Sequence, residues 1–241
     1  MGLYFIEFGA APRQTSVIYD RADSAMAKIV PGEIDWAAAF EGAKVFHTTG
    51  ITPALSDGAR EATIEALQAA KTAGLTVSFD PNYREKLWSR QDAQAVIRPL
   101  MEYVDIIVTN RSDAEHILGV TQGDDGEVAH AIADTFGAQV VAIPERREIA
   151  PGAHQRRSVA VAAGKRYESK TYDIEMVDMV GGGDSFVAGF LYGWLNADIG
   201  TAVEYGTAYA ALKHTNPGDI NYATLEELEQ TVQGGGMHIG R

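Results

Sequence analysis

Residues 178–190 read DMVGGGDSFVAGF: three consecutive glycines, an acid directly behind them, then an apolar run. From there Val187, Phe190, Leu191, Trp194 and Leu195 recur with helical period, so the glycines stand where a helix begins. A helix start leaves backbone N–H groups without intrahelical partners and carries the positive end of the helix dipole. Glycine lets an anion approach those groups closely, so a phosphate suits this position. Asp184 is then placed to accept a proton from a hydroxyl attacking a phosphorus that the amides hold. The same residues allow a plainer reading, in which Asp184 caps the helix and the glycines only make a tight turn. Local chemistry leaves both open.

Outward from this stretch, short β-rich runs alternate with amphipathic ones: KVFHTT (44–49), LTVSFDP (75–81), VDIIVTN (104–110) and QVVAIP (139–144). That alternation predicts a parallel sheet with crossover helices. Ile64, Leu67 and Ala70 form one helical stripe within 59–73, which stops at Gly74, and Val96, Ile97 and Leu100 mark a second. Residues 158–174 read as a hairpin around Gly164. Leu225, Leu228 and Val232 belong to a last helix, for which Thr224 and Glu227 form a capping-box signature. The first forty residues differ, with GLYFIEF (2–8) and TSVIYD (15–20) as strand candidates and no helix expected before about Asp35. The expected division is a small β-element over 1–34 and an α/β domain over 35–241. The chain shows no internal repeat, long linker or low-complexity tract, and its tail GGGMHIGR (234–241) is expected to be mobile.

Composition narrows the function classes. The 241 residues are 46% hydrophobic, enough for a sizeable core. With 20 basic against 33 acidic residues the net charge is −13, which argues against nucleic acid and anionic membranes as partners. Any anionic ligand must therefore be held by a few local groups. The absence of cysteine excludes disulfides and thiolate metal sites and fits a reducing compartment, so the expected location is the cytoplasm. The opening MGLYFIEFGAAPRQ, with Glu7 early in it, reads neither as a signal peptide nor as a membrane span.

The stretch DMVGGGDSFVAGF resembles the signature of the ribokinase-like, or PfkB, carbohydrate kinases: D-x-x-G-[AG]-G-D-x-F followed by a glycine-bearing helix. Within that family the resemblance is closest to the 2-keto-3-deoxygluconate kinases. It extends to GLYFIEFGAAPRQTSVIYDRADSA (2–25) as a substrate-side segment, FDPNYREKLW (79–88) as a sugar-binding strand end, and ALKHTNPGDIN (211–221) as the region after the adenine loop. The resemblance implies a ribokinase-like three-layer α/β sandwich with a mainly parallel central sheet, plus a partial β lid. It also implies ATP-dependent phosphorylation of a 2-keto-3-deoxy sugar acid at its primary hydroxyl, with ATP and Mg2+ as cofactors. Asp184 would be the catalytic base, and the amides of Gly181, Gly182 and Gly183 would stabilise the transferred phosphoryl group.

By the same resemblance Tyr4, Tyr19 and Arg21 would contact the sugar acid, Arg84 its carboxylate end and Asp219 a sugar hydroxyl. The chemistry agrees, because arginine forks pair bidentately with carboxylates. Without the resemblance, the tyrosines read as packing residues, the arginines as solvated loop residues and Asp219 in NPGD as a turn residue. Asn82 follows a strand's C-terminal end, the edge where parallel sheets bind ligands, and its family counterpart lies near the nucleotide phosphates. TNRSDAEHILG (109–119) resembles the family's N-x-x-E segment, which holds magnesium through water. Asn110 matches the asparagine, but Asp113 stands three residues on and Glu115 two further. Asp113 is the expected magnesium-side residue; Ser112 and Glu115 also fit a capping box.

The chain departs from the family at two places. IPERREIAPG (143–152) stands where the family has a glycine-containing nucleotide loop, so either Arg146 or Arg147 takes over a phosphate contact or the loop is solvated. The family also begins with a strand and a Gly-Gly sugar motif upstream of where this sequence starts, which would leave sheet edges and apolar faces exposed. The family commonly forms dimers through its lid sheet; whether this chain forms a homo-oligomer is left open. Two alternatives also remain: a kinase for a neutral sugar, in which Arg21 and Arg84 meet no carboxylate, and a non-catalytic sugar- or nucleotide-binding remnant.

Overall fold

In a computed structural model of the chain, residues 2–9 and 12–234 are described. Ala10 and Ala11 of the substrate-side segment, and all of the expected mobile tail except Gly234, lie outside the described residues. The chain forms two compact units, one of residues 1–105 with 116–118, the other of 106–115 with 119–241.

In the first unit β1 (Leu3–Glu7) and β2 (Ser16–Asp20) form an antiparallel ribbon with Tyr4 opposite Tyr19. A short helix, α1 (Ala25–Lys28), follows ten residues before a helix was expected. Its start is set by Ser24, whose hydroxyl accepts from the Ala27 N–H at 3.2 Å, a cap concealed in the polar turn. Then come α2 (Trp36–Ala39), β3 (Val45–Thr49), α3 (Asp57–Thr72), β4 (Thr76–Asp80) and α4 (Arg90–Leu100). Strands β3 and β4 are parallel, as the sequence pattern requires of strands joined by a crossover helix. Serines 56 and 89 cap α3 and α4, and Gly74, at φ +74°, follows the end of α3. Leu67 and Ala70 are buried as expected, but Ile64 is only half-buried, because small residues at 59, 62, 63 and 66 carry the inner face instead. Asp105 closes this unit: Lys71 Nζ donates to it at 2.8 Å and the Val77 N–H at 2.9 Å.

The second unit contains β5 (Ile106–Val108), α5 (Arg111–Asp113), α6 (Asp125–Phe136), β6 (Val140–Ala150) and β7 (Ala153–Ala162). After them come β8 (Lys165–Glu168), β9 (Tyr172–Glu175), α7 (Gly182–Asn196), α8 (Ile199–Lys213) and α9 (Leu225–Val232). Strand β6 is parallel to β5 and antiparallel to β7, and β7 also pairs antiparallel with β8 and β9. The sheet is thus parallel through β3–β4 and β5–β6 and becomes mixed beyond β6. The segment IPERREIAPG is not a loop: β6 runs through it to Ala150, with Arg146 opposite Arg156 and Arg147 opposite Gln155. Ala163 (φ +47°) and Gly164 (φ +71°) supply the two left-handed residues of the tight hairpin between β7 and β8. The Thr224–Glu227 capping box of α9 forms as the sequence predicts.

The core of this unit gathers Phe186 and Phe190 of α7 with Ile106, Val108, Ala142, Ala160, Val203 and Ala210. Helices α7 and α8 meet backbone to backbone. A Cβ on Gly189 would lie 2.6 Å from Tyr205 O, and one on Gly193 would lie 2.8 Å from Ala202 Cα. This contact anchors α7, and with it the residues at its start. No helix among the described residues is long and apolar enough to cross a membrane.

Candidate active site

Gly181 is the N-cap of α7 at φ +75°, and the Ser185 N–H donates to its carbonyl at 2.9 Å. Asp184 is therefore the third helical residue, not the cap. It is exposed, and among the described residues its carboxylate accepts no hydrogen bond. The capping alternative fails on this geometry. The three glycines are glycine for three different reasons. Gly181 combines a positive φ with a Cβ position 2.3 Å from Asp219 O. A Cβ on Gly182 would lie 2.4 Å from His214 Cε1 and 2.9 Å from Arg156 Nη1. A Cβ on Gly183 would meet nothing within 4 Å, so internal packing does not explain it and the position opens to solvent beside Asp184.

The loop before α7 is tied to the turn after α8. Buried Asp178 accepts from the Val180 N–H at 3.0 Å and from the Gly218 N–H at 2.8 Å. Its carbonyl lies 2.8 Å from His214 Nδ1. Asn221 donates to Tyr209 O at 2.9 Å and to Ser185 Oγ at 3.3 Å. Asp219 is exposed, with its carbonyl against Gly181. Sequence reasoning assigned no role to Asp178, His214 or Arg156. The first two stood inside matching segments, while Arg156 sits in an alternating strand that gives no local signal. Along α7, the face of Asp184 continues through Ala188 and Tyr192 into an apolar groove of about 250 Å³ shared with Tyr209 and Leu228.

In the first unit the ribbon presents a small polar-aromatic cluster. The Tyr4 and Tyr19 rings are 6.4 Å apart and more than a third exposed, so they are not core residues. The Arg21 guanidinium lies 4.0 Å over the Tyr19 ring, and Lys86 Nζ lies 5.9 Å from it. Lys86 also donates to Val17 O at 2.9 Å. Arg84 is not drawn in: it is exposed and its side chain makes no hydrogen bond or ion pair among the described residues. Lys86, two residues on, occupies the role of ribbon neighbour that the sequence reading gave to no lysine. Asn82, just past β4, has φ +40°, a left-handed conformation that asparagine tolerates, and its N–H donates to Asp80 Oδ1 at 2.9 Å.

Asn110 accepts from the Asp113 N–H at 2.9 Å and is the N-cap of α5. The expected box between Ser112 and Glu115 does not form, because Asn110 takes the cap two residues earlier. Asp113 is only 5% exposed, whereas Glu115 faces solvent. Among the described residues no group of three or more His, Asp or Glu could hold a metal ion.

The model of the pfkB family of carbohydrate kinases matches residues 1–226. The chain is 40% identical over 241 residues to a 2-dehydro-3-deoxygalactonokinase of Haloferax volcanii, covering 100% of this chain and 73% of the relative. It is 30% identical to a 5-dehydro-2-deoxygluconokinase of Bacillus subtilis, over 96% of this chain and 69% of the relative. The crystal structure of a 2-dehydro-3-deoxygluconokinase from Thermotoga maritima superposes with a TM-score of 0.92 at 36% identity, over 97% of this chain and 73% of that one. The fold is the ribokinase-like α/β fold, with a mixed central sheet and a small antiparallel sheet. On the signature, the fold and these relatives, the chain belongs to the pfkB family of carbohydrate kinases.

Proposed function

We propose that the chain phosphorylates a 2-keto-3-deoxy sugar acid at its primary hydroxyl, using ATP and Mg2+. The observation that carries this reading is the start of α7, where Gly183 faces open space beside an Asp184 whose carboxylate accepts no hydrogen bond among the described residues. MgATP supplies the transferable phosphoryl group and the charge-neutralising cation. The N–H groups of Gly181, Gly182 and Gly183 point at the negative charge that develops on that group, and Asp184 accepts the proton of the attacking hydroxyl. Arg21 and Arg84 take the carboxylate, Tyr4 and Tyr19 the sugar-acid chain, and Asp219 a hydroxyl. Asn82 and Asn110 serve the nucleotide side. Asp113 and Glu115 would hold the magnesium of MgATP indirectly, through water, where it would neutralise phosphate charge. Exposed Glu115 is better placed than buried Asp113 to reach it through such water. The relatives that act on keto-deoxy acids support the substrate class, and dependence on ATP makes the cytoplasm the expected location.

The test is a comparison of kcat/KM for 2-keto-3-deoxygluconate, 2-keto-3-deoxygalactonate, fructose and ribose with MgATP. A preference of at least about a hundredfold for the acids is expected, equivalent to roughly 3 kcal/mol from one bidentate charge-assisted contact. Equal or better turnover of fructose or ribose would establish the neutral-sugar kinase instead. Binding without turnover of any of the four would establish a non-catalytic protein.

A further inference from the structure

The inner face of β7 carries His154, Arg156 and Ser158, all buried, where alternation would place apolar residues. Ser158 is accounted for, since Thr207 donates to it at 2.8 Å. Arg156 is not. It is 5% exposed, its Nε has no hydrogen-bond partner, and no carboxylate lies within 4 Å of it among the described residues. A buried charge is normally paired or neutralised, yet arginine does not deprotonate at neutral pH. Burial, with the like charge of Arg146 on the neighbouring strand adding to it, pushes its pKa down only to about 10. A full positive charge is therefore held in the interior, and among the described residues no carboxylate pairs with it.

The hydrogen bonds around Arg156 do not supply an anion. Nη1 is 2.6 Å from His214 Nε2, and an arginine can only donate, so Nε2 accepts and Nδ1 carries the proton that goes to Asp178 O at 2.8 Å. His214 is thus a neutral relay, and burial lowers its pKa to about 4. The guanidinium packs against the glycine run: Nη1, the atom that donates to His214, sits 2.9 Å from the position a Cβ of Gly182 would take. This explains why residue 182 is glycine: any side chain would displace the arginine and histidine from behind the helix start.

We propose that Arg156 is a positioning residue of the phosphoryl site, placing a desolvated positive charge directly behind the Gly182 amide so that the transferred phosphoryl group becomes its counter-ion. The proposal rests on reading the glycine run as the phosphoryl site. Arg156 does not touch substrate; it acts through the backbone of Gly182 and through the His214 contact that holds the 178–183 loop. In a low-dielectric interior a charge one residue behind the amides adds to the helix dipole rather than being screened by water.

The experiment measures binding of inorganic phosphate to the full chain by titration calorimetry, then turnover with the preferred acceptor. Arg156→Gln keeps an N–H donor for His214 and removes the charge; Arg156→Lys keeps the charge. Phosphate affinity is expected to fall about tenfold in the first and to stay within about threefold of the parent in the second. Turnover in the first is expected to drop tenfold to a hundredfold in kcat with little change in KM for the acceptor. Gly183→Val locates the probe by filling the open space at that position. If it abolishes phosphate binding while Arg156→Gln binds like the parent, the Arg156 proposal is wrong and the phosphoryl-site reading stands. If Gly183→Val binds phosphate as the parent does, or the parent does not bind it, the phosphoryl-site reading fails and the proposal with it. Should Arg156→Gln not fold, Arg156→Met fills the same volume without charge and is read against the same outcomes.

Discussion

The β1–β2 ribbon and the start of α7 are built on opposite terms. The ribbon is two short strands with Leu3, Phe5 and Ile18 each at least 44% exposed, and its candidate ligands meet through ring and cation contacts at 4.0–6.4 Å. The start of α7 is held from behind by the Asp178 hydrogen bonds and by Asp219, His214 and Arg156 against Gly181 and Gly182, and the helix itself by backbone contact with α8 at Gly189 and Gly193. Phosphoryl transfer requires reacting groups fixed closely in place, and small misplacement is costly. Recognition of one sugar acid among several depends on individual contacts that can change without disturbing the chemistry. On the proposed assignment, rigidity would lie at the phosphoryl site and recognition would fall to a thin, adjustable element.

The largest effect that sharpens this contrast is expected from Asp184→Asn. Turnover should fall about a thousandfold or more while the thermal midpoint stays unchanged, because the carboxylate accepts no hydrogen bond among the described residues. Gly181→Ala comes next: its strained φ and the 2.3 Å approach to Asp219 O should cost about 2–4 kcal/mol, read from urea midpoints. Gly183→Ala should cost almost no stability and still slow turnover, because its Cβ enters only the open space proposed for the phosphoryl group.

Acid should loosen the rigid side. His214 has its pKa lowered by burial to about 4, while the unfolded chain takes up the proton near the ordinary value of 6.5. The unfolded state therefore binds more protons between those values, so this contribution is complete above pH 6.5 and is lost as the pH falls toward 4. The loss is at most about 3 kcal/mol. Urea midpoints measured across that range should fall with pH, and His214→Gln should flatten the slope. The smallest effect belongs to the ribbon: Arg21→Met should raise KM for the acid about tenfold with kcat within a few-fold. A kcat loss on the scale of Asp184→Asn would erase the distinction between the two regions.

Much of the rigid side was legible in the sequence. DMVGGGDSFVAGF showed the helix start, the acid and the family. The reason for Gly182 was not legible, because Arg156 and His214 come from a distant strand and helix and meet only in the fold. Helix α8 escaped because its sequence, IGTAVEYGTAYAALK, has inner residues on several faces; a helix buried on many sides shows no polar–apolar stripe. The charged ERRE of β6 reads as a loop until β7 is present to pair with it. On the ribbon the strands and tyrosines were readable, but Lys86 was not, since nothing local links it to Val17.

The product itself separates phosphoryl transfer to the primary hydroxyl from the other outcomes. Phosphorus and proton NMR of the chain with MgATP and 2-keto-3-deoxygluconate or its galacto epimer should show ADP and a phosphomonoester coupled to the two protons of a primary carbon. Release of inorganic phosphate alone, or a phosphoester on a secondary carbon, would contradict it.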